Sequence, residues 1–279
     1  MERISVVVPT RDRPESLTRC LEALAAQKAA AIDVVVVDDG SADPAGVAAA
    51  VRRWEHARLV RIEGEGPAAA RNAGARAARG DVICFTDDDC EPEPAWARLL
   101  AAAAGGGGAV GRTVFPPGAW AAVRASQAIT NHLLTASLDP VTGLAGFAPS
   151  CNLAIAHSAF DRVPFDERFP HPGGEDRDWS DRAAAELALR YEPDAVVVHR
   201  QRLNLGSFLR QQYRYGSGAA RFRRQDASAD RGLARPAFYV GLLRAGFEHG
   251  VGSGTLVAAA QAATAAGVAA ERWHAARAR

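Results

Sequence analysis

The N-terminal third of the chain alternates short apolar runs with longer Ala- and Leu-rich segments, and this alternation constrains the fold more than any other feature. The apolar runs lie at residues 4–9, 32–37, 58–62 and 82–85. Their β-branched residues predict strands, and the segments between them predict helices at residues 14–27, 44–54 and 66–79. Strands that are apolar on both faces and alternate with helices indicate an α/β fold, in which helices cover both sides of a mostly parallel sheet.

The rest of the chain continues this pattern and then changes character. Further helices are predicted at residues 92–104 and 117–137 and after Gly173-Gly174, and further strands at residues 109–114, 152–156 and 195–199. Beyond residue 200 the pattern predicts only helices, at residues 205–224, 234–249 and 255–277. A chain of 279 residues can hold one large domain and an appendage, so we expect an α/β domain followed by a helical extension.

Charge is distributed unevenly along the chain, although the net charge is only +1. Residues 1–199 carry 20 Lys and Arg against 28 Asp and Glu, whereas residues 200–279 carry 13 against 4. A basic segment attracts anions such as lipid headgroups or phosphorylated substrates; a solvated helical face is the alternative. The hydrophobic content of 48% excludes a disordered chain.

The cysteines and the N-terminus favour a cytoplasmic protein. Cys20, Cys84, Cys90 and Cys151 show no CxxC pair, which is typical of a reducing compartment. A strand predicted almost directly after Met1 leaves no room for a signal peptide. The longest uncharged run, residues 250–270, is mostly Ala, Gly, Ser, Thr and Gln, so we expect a soluble or peripheral helix there rather than a membrane span.

Polar clusters follow three of the predicted strands at the point where each strand ends. They are Pro9-Thr10-Arg11-Asp12, Asp38-Asp39 and Asp87-Asp88-Asp89. The carboxyl ends of parallel strands meet at one edge of a sheet, where ligands of α/β proteins bind, so the clusters should converge on one cleft. Three adjacent carboxylates need compensation, which a divalent cation with oxygen ligands would supply; a solvated acidic turn is the alternative.

Each candidate also has a purely structural interpretation. Asp38-Asp39 is compatible with a turn and a helix cap, and Arg71 with a surface position on a helix. Glu175-Asp176 could cap the helix that follows two glycines, and His199 could be a buried structural histidine. The order and spacing of these groups along the chain therefore matter more than any one of them.

Six motifs in this order resemble the family 2 glycosyltransferases of GT-A fold. They are Pro9-Thr10-Arg11-Asp12, Val37-Asp38-Asp39-Gly40-Ser41, Ala70-Arg71-Asn72-Ala73-Gly74, Phe85-Thr86-Asp87-Asp88-Asp89, Gly174-Glu175-Asp176 with Arg182, and His199. The resemblance spans roughly residues 3–200. It implies a Rossmann-like GT-A domain at residues 1–204, with a nucleotide-sugar half at 1–112, an acceptor half at 113–204, and a basic helical extension at 205–279.

The resemblance also implies a function, which is transfer of a sugar from a nucleotide diphosphate donor with inversion at the anomeric carbon. Asp39 would hydrogen-bond the uracil or the ribose, because a carboxylate accepts from two donors. The implied donor contacts come from several parts of the chain: Pro9, Thr10, Arg11, Asp39, Arg71, Asp81, Asp87 and Asp88. We expect a UDP-sugar donor, with dTDP or GDP as alternatives, and an enzyme of hexosyl- or N-acetylhexosaminyl-transferase type.

The acidic triplet looks like the DxD motif of that family. By resemblance, Asp89 is the direct metal ligand, Asp87 faces the donor and Asp88 lies between them. His199 matches a histidine that completes the metal or diphosphate site, and an imidazole ligand favours Mn²⁺ over Mg²⁺. The metal would neutralise the charge that builds on the leaving diphosphate.

By resemblance, Asp176 is the general base, and Glu175 helps to position it. Attack from the face opposite the diphosphate in a single displacement explains the inversion. The Gly173-Gly174 loop would close over the substrates and exclude water.

A weaker similarity concerns Gln211, Arg214 and Tyr215, which approximate the QxxRW motif of processive polysaccharide synthases with Tyr in place of Trp. Arg214 is a candidate contact for the diphosphate or the acceptor; a basic amphipathic helix without a role in the site is the alternative. We expect a sugar, lipid-linked or small-molecule acceptor of cell-envelope glycoconjugate biosynthesis, contact with the inner face of the membrane, and no nucleic-acid partner.

Three other functions stay open. A processive synthase would need membrane-spanning helices. A nucleotidyltransferase would place a glycine-rich loop after the first strand, and residues 9–14 contain no glycine. A nucleotide-sugar-binding module without transferase activity would lack some of the carboxylates.

Overall fold

The computed structural model describes residues 2–28, 32–169, 172–225 and 234–277. Their strands form one sheet: β1 Ile4–Thr10, β2 Ile32–Asp39, β3 Ala57–Ile62, β4 Val82–Phe85, β5 Cys90–Pro92, β6 Gly108–Val114, β7 Leu153–Ala156 and β8 Leu189–His199. The helices are α1 Pro14–Ala25, α2 Pro44–Val51, α3 Pro67–Ala77, α4 Trp96–Ala104, α5 Ala121–Ala136, α6 His157–Phe160, α7 Glu175–Glu186, α8 Leu205–Gln225, α9 Pro236–Glu248 and α10 Val251–Arg277.

The sheet has the strand order β3-β2-β1-β4-β7-β6-β8-β5. Strands β3, β2, β1 and β4 are parallel to one another, and β6 is parallel to β8. Strand β7 lies antiparallel between β4 and β6, and β5 lies antiparallel to β8. The expected α/β architecture with a mostly parallel sheet is confirmed.

Helices cover both faces of this sheet, as the apolar strands predict. In β1, Val6 and Val8 pack with α1, α2 and α4, whereas the intervening Val7 packs on the opposite face with α3. The alternation follows from the two-residue period of a strand. Strands β1, β2 and β4 are therefore largely buried on both faces of the sheet.

Two elements differ from the sequence-based expectation. Strand β5 is only three residues long and contains Pro92, so it has no apolar signature. Strand β8 begins at Leu189 instead of residue 195, because its polar N-terminal half still pairs with β6. A register shift at Gly111/Arg112 interrupts that pairing, and it breaks the alternation on which the prediction depended.

The C-terminal helices pack onto α5 through a separate apolar cluster that includes Ile129, Phe208, Leu242 and Val257. Helices α8 and α10 approach closely, because a Cβ added at Gly267 would lie 2.0 Å from the carbonyl oxygen of Tyr213. Helix α10 is long and apolar enough to cross a membrane by length and composition alone. Its packing against α8, α9 and α5 ties the extension to the rest of the described chain.

Candidate active site

A cleft with a volume of about 1060 Å³ opens at the carboxyl ends of the strands. Most of the side chains singled out from the sequence line it, among them Pro9, Thr10, Arg11, Asp39, Arg71, Asp87, Asp88, Asp89, Glu175, Asp176 and His199. Most of them stand at strand ends, because Thr10 closes β1, Asp39 closes β2 and His199 closes β8. The topology thus brings residues from distant parts of the sequence into one cavity.

The loops after β1 and β2 are joined by hydrogen bonds that shape one end of the cleft. The amide of Ala42 donates to Asp12, which has a positive φ of 56°, and Ser41 Oγ contacts the Asp12 amide. At the end of β2, the Asp39 carboxylate accepts from the Gly66 amide at 3.1 Å. Since Asp39 is acceptor-only and lines the cleft, its remaining lone pairs are available to a ligand.

Asp88 holds the acidic triplet in place. It is buried, accepts from Thr10 Oγ1 at 2.7 Å and pairs with Arg13 at 2.9 Å. Burial raises the pKa of Asp88 to about 7, against the opposing charge of Arg13. Through these contacts Asp88 supports the loop. Its neighbours contact other parts of the cleft, Asp87 through Arg71 and Asp89 through His199.

Asp89 and His199 form a pair of oxygen and nitrogen donors in the cleft, with Asp89 Oδ1 3.2 Å from His199 Nε2. Burial alone would lower the pKa of His199, but the Asp89 carboxylate raises it to about 9. Burial would likewise raise the pKa of Asp89, but His199 and Arg13 hold it at about 2. A carboxylate beside an imidazole, next to two further carboxylates, is a donor set that fits Mn²⁺.

Arg71 links the acidic triplet to the N-terminus of α7. Its guanidinium donates to Asp87 at 2.9 Å, lies 3.7 Å from Glu175 and stacks 5.6 Å from the Phe165 ring centre. Burial would lower the pKa of Arg71, but the surrounding carboxylates raise it. Arg71 Nε and Nη1 have no hydrogen-bond partner within the described ranges, so this buried cation can still donate to a ligand.

Glu175 and Asp176 begin α7 after two glycines with positive φ. Glu175 accepts from the Gly173 amide at 2.6 Å, which fixes its carboxylate in the loop. Burial raises the pKa of Asp176, and burial together with Asp176 raises that of Glu175 to about 7. Among the described residues Asp176 Oδ1 finds no hydrogen-bond partner, so it is a buried acceptor directed at the cleft.

Two of the predicted contacts lie elsewhere. Asp81 is exposed to solvent, and its carboxylate accepts from the Arg3 amide at 2.9 Å. It precedes β4, and the start of a parallel strand lies at the edge opposite the cleft. Arg214 is exposed on α8, and neither residue is among those that line the cleft in the described part of the chain.

Several residues of the cleft were not singled out from the sequence. Arg13 pairs with Asp88 and Asp89, and the only signal for it was its place beside Arg11 in the loop after β1. Gln127 of α5 contacts His199 Nδ1 at 3.3 Å and thereby orients the imidazole. The helical extension supplies a largely apolar wall together with α5: Ile129, Leu133, Phe222, Phe238, Leu242 and Val268.

Helix α8 also packs closely against the loop that contains Gly173 and Gly174. A Cβ at Gly218 would lie 1.9 Å from the Gly173 carbonyl oxygen, so the loop and the helix touch through glycine backbone. The position of Glu175 and Asp176 therefore depends on Gly218 of α8, which lies more than 40 residues further along the chain.

Residues 5–163 match the family model described as Glycosyl transferase family 2. A glycosyltransferase named AglE from Haloferax volcanii is 30% identical over 229 residues, which cover 77% of this chain and 72% of that protein. The pre-mycofactocin glycosyltransferase of Mycobacterium tuberculosis is 30% identical over 240 residues, covering 78% of this chain. The matched region spans only 47% of the mycobacterial relative.

Solved structures show the same fold at low sequence identity. The mannosyltransferase PcManGT from Pyrobaculum calidifontis, in complex with GDP-Man and Mn²⁺, has a TM-score of 0.58 and 22% identity, covering 99% of this chain and 80% of that one. TarS from S. aureus in complex with UDP has a TM-score of 0.55 and 15% identity, covering 99% and 92%. The expected GT-A fold is confirmed.

Proposed function

The chain belongs to glycosyl transferase family 2, and we propose that it transfers a sugar from a nucleotide diphosphate donor to an acceptor hydroxyl with inversion. One observation carries this proposal. The metal-type pair Asp89–His199 and the buried carboxylate of Asp176 line the same cleft, and Arg71 connects the two regions through Asp87 and Glu175. A site that holds the diphosphate at one end and a general base at the other suits a direct displacement.

The donor would lie along the strand ends. Asp39 is placed to accept from the base or ribose, and Arg71 to neutralise phosphate charge. The structural relatives were solved with GDP-Man or UDP, so we assign a UDP-sugar as the first donor class and GDP-mannose as the second. Hexosyl or N-acetylhexosaminyl transfer fits a cleft of this size.

Asp89 and His199 would hold the divalent cation, and Mn²⁺ suits this mixed oxygen and nitrogen set better than Mg²⁺. When bound, the cation supplies Lewis-acid stabilisation of the leaving diphosphate. Arg13 and Gln127 position these two side chains in the protein itself. Arg13 thus balances part of the charge of the triplet.

Asp176 would accept the proton of the acceptor hydroxyl. Burial raises its pKa, which makes it a stronger base than an exposed aspartate, and the cation of Arg71 opposes that shift. Glu175 is tied to the Gly173 amide and would hold the loop in place. The approach of α8 behind this loop excludes water from the far side.

The apolar wall suggests the class of acceptor. Leu133, Phe238 and Leu242 border the same cleft as the catalytic carboxylates, and the segment 200–279 is basic. An acceptor with an apolar portion and an anionic group would satisfy both features, as a lipid-linked sugar at the inner membrane face does. We therefore propose a lipid-linked acceptor.

Replacing Leu133 with Gln tests this acceptor class. We expect kcat/KM for a lipid-linked acceptor to fall about tenfold, because a buried leucine contact contributes roughly 1.5–3 kcal/mol. Release of nucleoside diphosphate to water should stay unchanged. The matched control is Val240→Gln, since Val240 is 67% exposed on α9. An equal effect of both substitutions on the lipid-linked acceptor would contradict the assignment.

The transferase activity itself is tested by incubating the protein with UDP-, GDP- and dTDP-sugars and Mn²⁺. We expect release of nucleoside diphosphate from at least one donor, and loss of that release when a chelator is added. No release from any donor would overturn the proposal and favour a nucleotide-sugar-binding module.

A further inference from the structure

Two cysteines that the proposed reaction does not use lie next to His199. Cys90 is the first residue of β5 and pairs directly with His199, the last residue of β8. Directly opposite residues of antiparallel strands extend their side chains to the same face. Cys151 reaches the same place from the short turn Ser150–Asn152 that precedes β7. One ligand atom from each of the three residues lies within 4.8 Å of the other two.

The cluster is largely buried, but part of it reaches the cleft. Cys90 is fully buried and Cys151 is 7% exposed, while Cys151 and His199 both line the cleft. An ion could therefore enter from the cleft, bind two sulfurs and one nitrogen, and keep a water as its fourth ligand. Thiolate and imidazole in a tetrahedral arrangement select Zn²⁺ and related thiophilic ions, whereas Mn²⁺ and Mg²⁺ prefer oxygen.

We propose that Cys90, Cys151 and His199 form a second metal site, which binds a thiophilic cation such as Zn²⁺ or Cd²⁺. On binding, the two thiols release their protons to solvent and their sulfurs coordinate the ion. This site differs from the pair Asp89–His199 in its ligands but shares the imidazole. An ion that binds His199 through Nε2 in the sulfur site competes with Asp89 for that nitrogen.

The consequence is mutual exclusion of two cations. A thiophilic ion in the sulfur site inhibits donor binding at the oxygen site, and this regulatory part rests on the proposed function. The coordination itself does not depend on it, since it needs no sugar nucleotide.

The test is a titration of the reduced protein with Cd²⁺ in a non-thiol reductant, followed by the ultraviolet sulfur-to-cadmium absorption. We expect one equivalent of Cd²⁺ to saturate this absorption in the wild type. The substitutions Cys151→Ser and Cys90→Ser should each weaken Cd²⁺ binding at least tenfold. Cys84→Ala is the matched control, because Cys84 is a fully buried thiol outside the cluster and should leave the titration unchanged.

Asp89→Asn distinguishes the two sites. It should keep the sulfur-to-cadmium absorption, because Asp89 is not a ligand of the sulfur site. Absence of the absorption in the wild type, its persistence in a folded Cys151→Ser protein, or its loss in Asp89→Asn would each overturn the proposal. Circular dichroism shows whether each variant is folded. If Cys151→Ser does not fold, the Cd²⁺ titration of Cys90→Ser is the test instead.

Discussion

Replacing Asp176 with Asn is expected to lower turnover roughly 10²- to 10⁴-fold and to leave donor affinity unchanged. Asparagine has nearly the same shape, but it cannot take the proton of the acceptor hydroxyl. Asp176 Oδ1 makes no hydrogen bond to any described residue, so the substitution breaks no hydrogen bond at that atom. The measurements are kcat with the acceptor and calorimetric affinity for UDP in the presence of Mn²⁺.

Asp194→Asn is the matched control, because Asp194 is exposed on β8 and outside the cleft. It should behave as the wild type. Near-normal turnover in Asp176→Asn, with a large loss in Glu175→Gln, would move the general base to Glu175.

The pH profile gives an independent check on the same residue. Burial raises the pKa of Asp176 above that of an exposed aspartate. A general base is active when it is deprotonated. We therefore expect kcat to fall as the pH drops through this raised pKa and to reach its maximum above it. This acidic limb should vanish in Asp176→Asn.

Asp89→Asn is expected to weaken Mn²⁺-dependent donor binding at least about 100-fold, since loss of even an indirect metal contact costs 10–100-fold. The neutral amide removes the charged oxygen that stands 3.2 Å from His199 Nε2. The measurement is calorimetry of UDP and Mn²⁺ binding, with thermal unfolding to verify the fold.

Asp88→Asn is the comparison variant in the same loop. Asp88 bonds to Thr10 and Arg13 and supports the loop that carries the proposed ligands, so its amide variant should lose less Mn²⁺ affinity than Asp89→Asn. Equal losses in both variants, or unchanged affinity in Asp89→Asn, would remove Asp89 from the metal site.

The convergence of the strand-end residues was accessible from the sequence for a topological reason. Thr10, Asp39, Asp87 and His199 follow or close strands that point the same way, so one edge of the sheet gathers them. The same reasoning explains the misplaced residue. Asp81 directly precedes β4 and Asp87 follows it, so the two residues lie at opposite edges of the sheet.

Other parts of the site depend on tertiary packing that leaves no local pattern. The pairing of Arg13 with two aspartates depends on a side-chain conformation, and the apolar wall depends on how α9 docks against α5. Gly218 lies close to the backbone of Gly173, and Gly267 lies close to that of Tyr213. The sequence alone does not say which backbone each glycine faces. The extension was predicted as helical, whereas its place in the wall of the cleft emerges only from the structure.

The most direct test of this account is a crystal of the protein grown with UDP and Mn²⁺, with anomalous diffraction recorded at the manganese edge. We expect one manganese peak beside Asp89 and His199, in contact with the diphosphate, and the base beside Asp39. A manganese peak remote from both side chains, or a nucleotide bound outside this cleft, would contradict it.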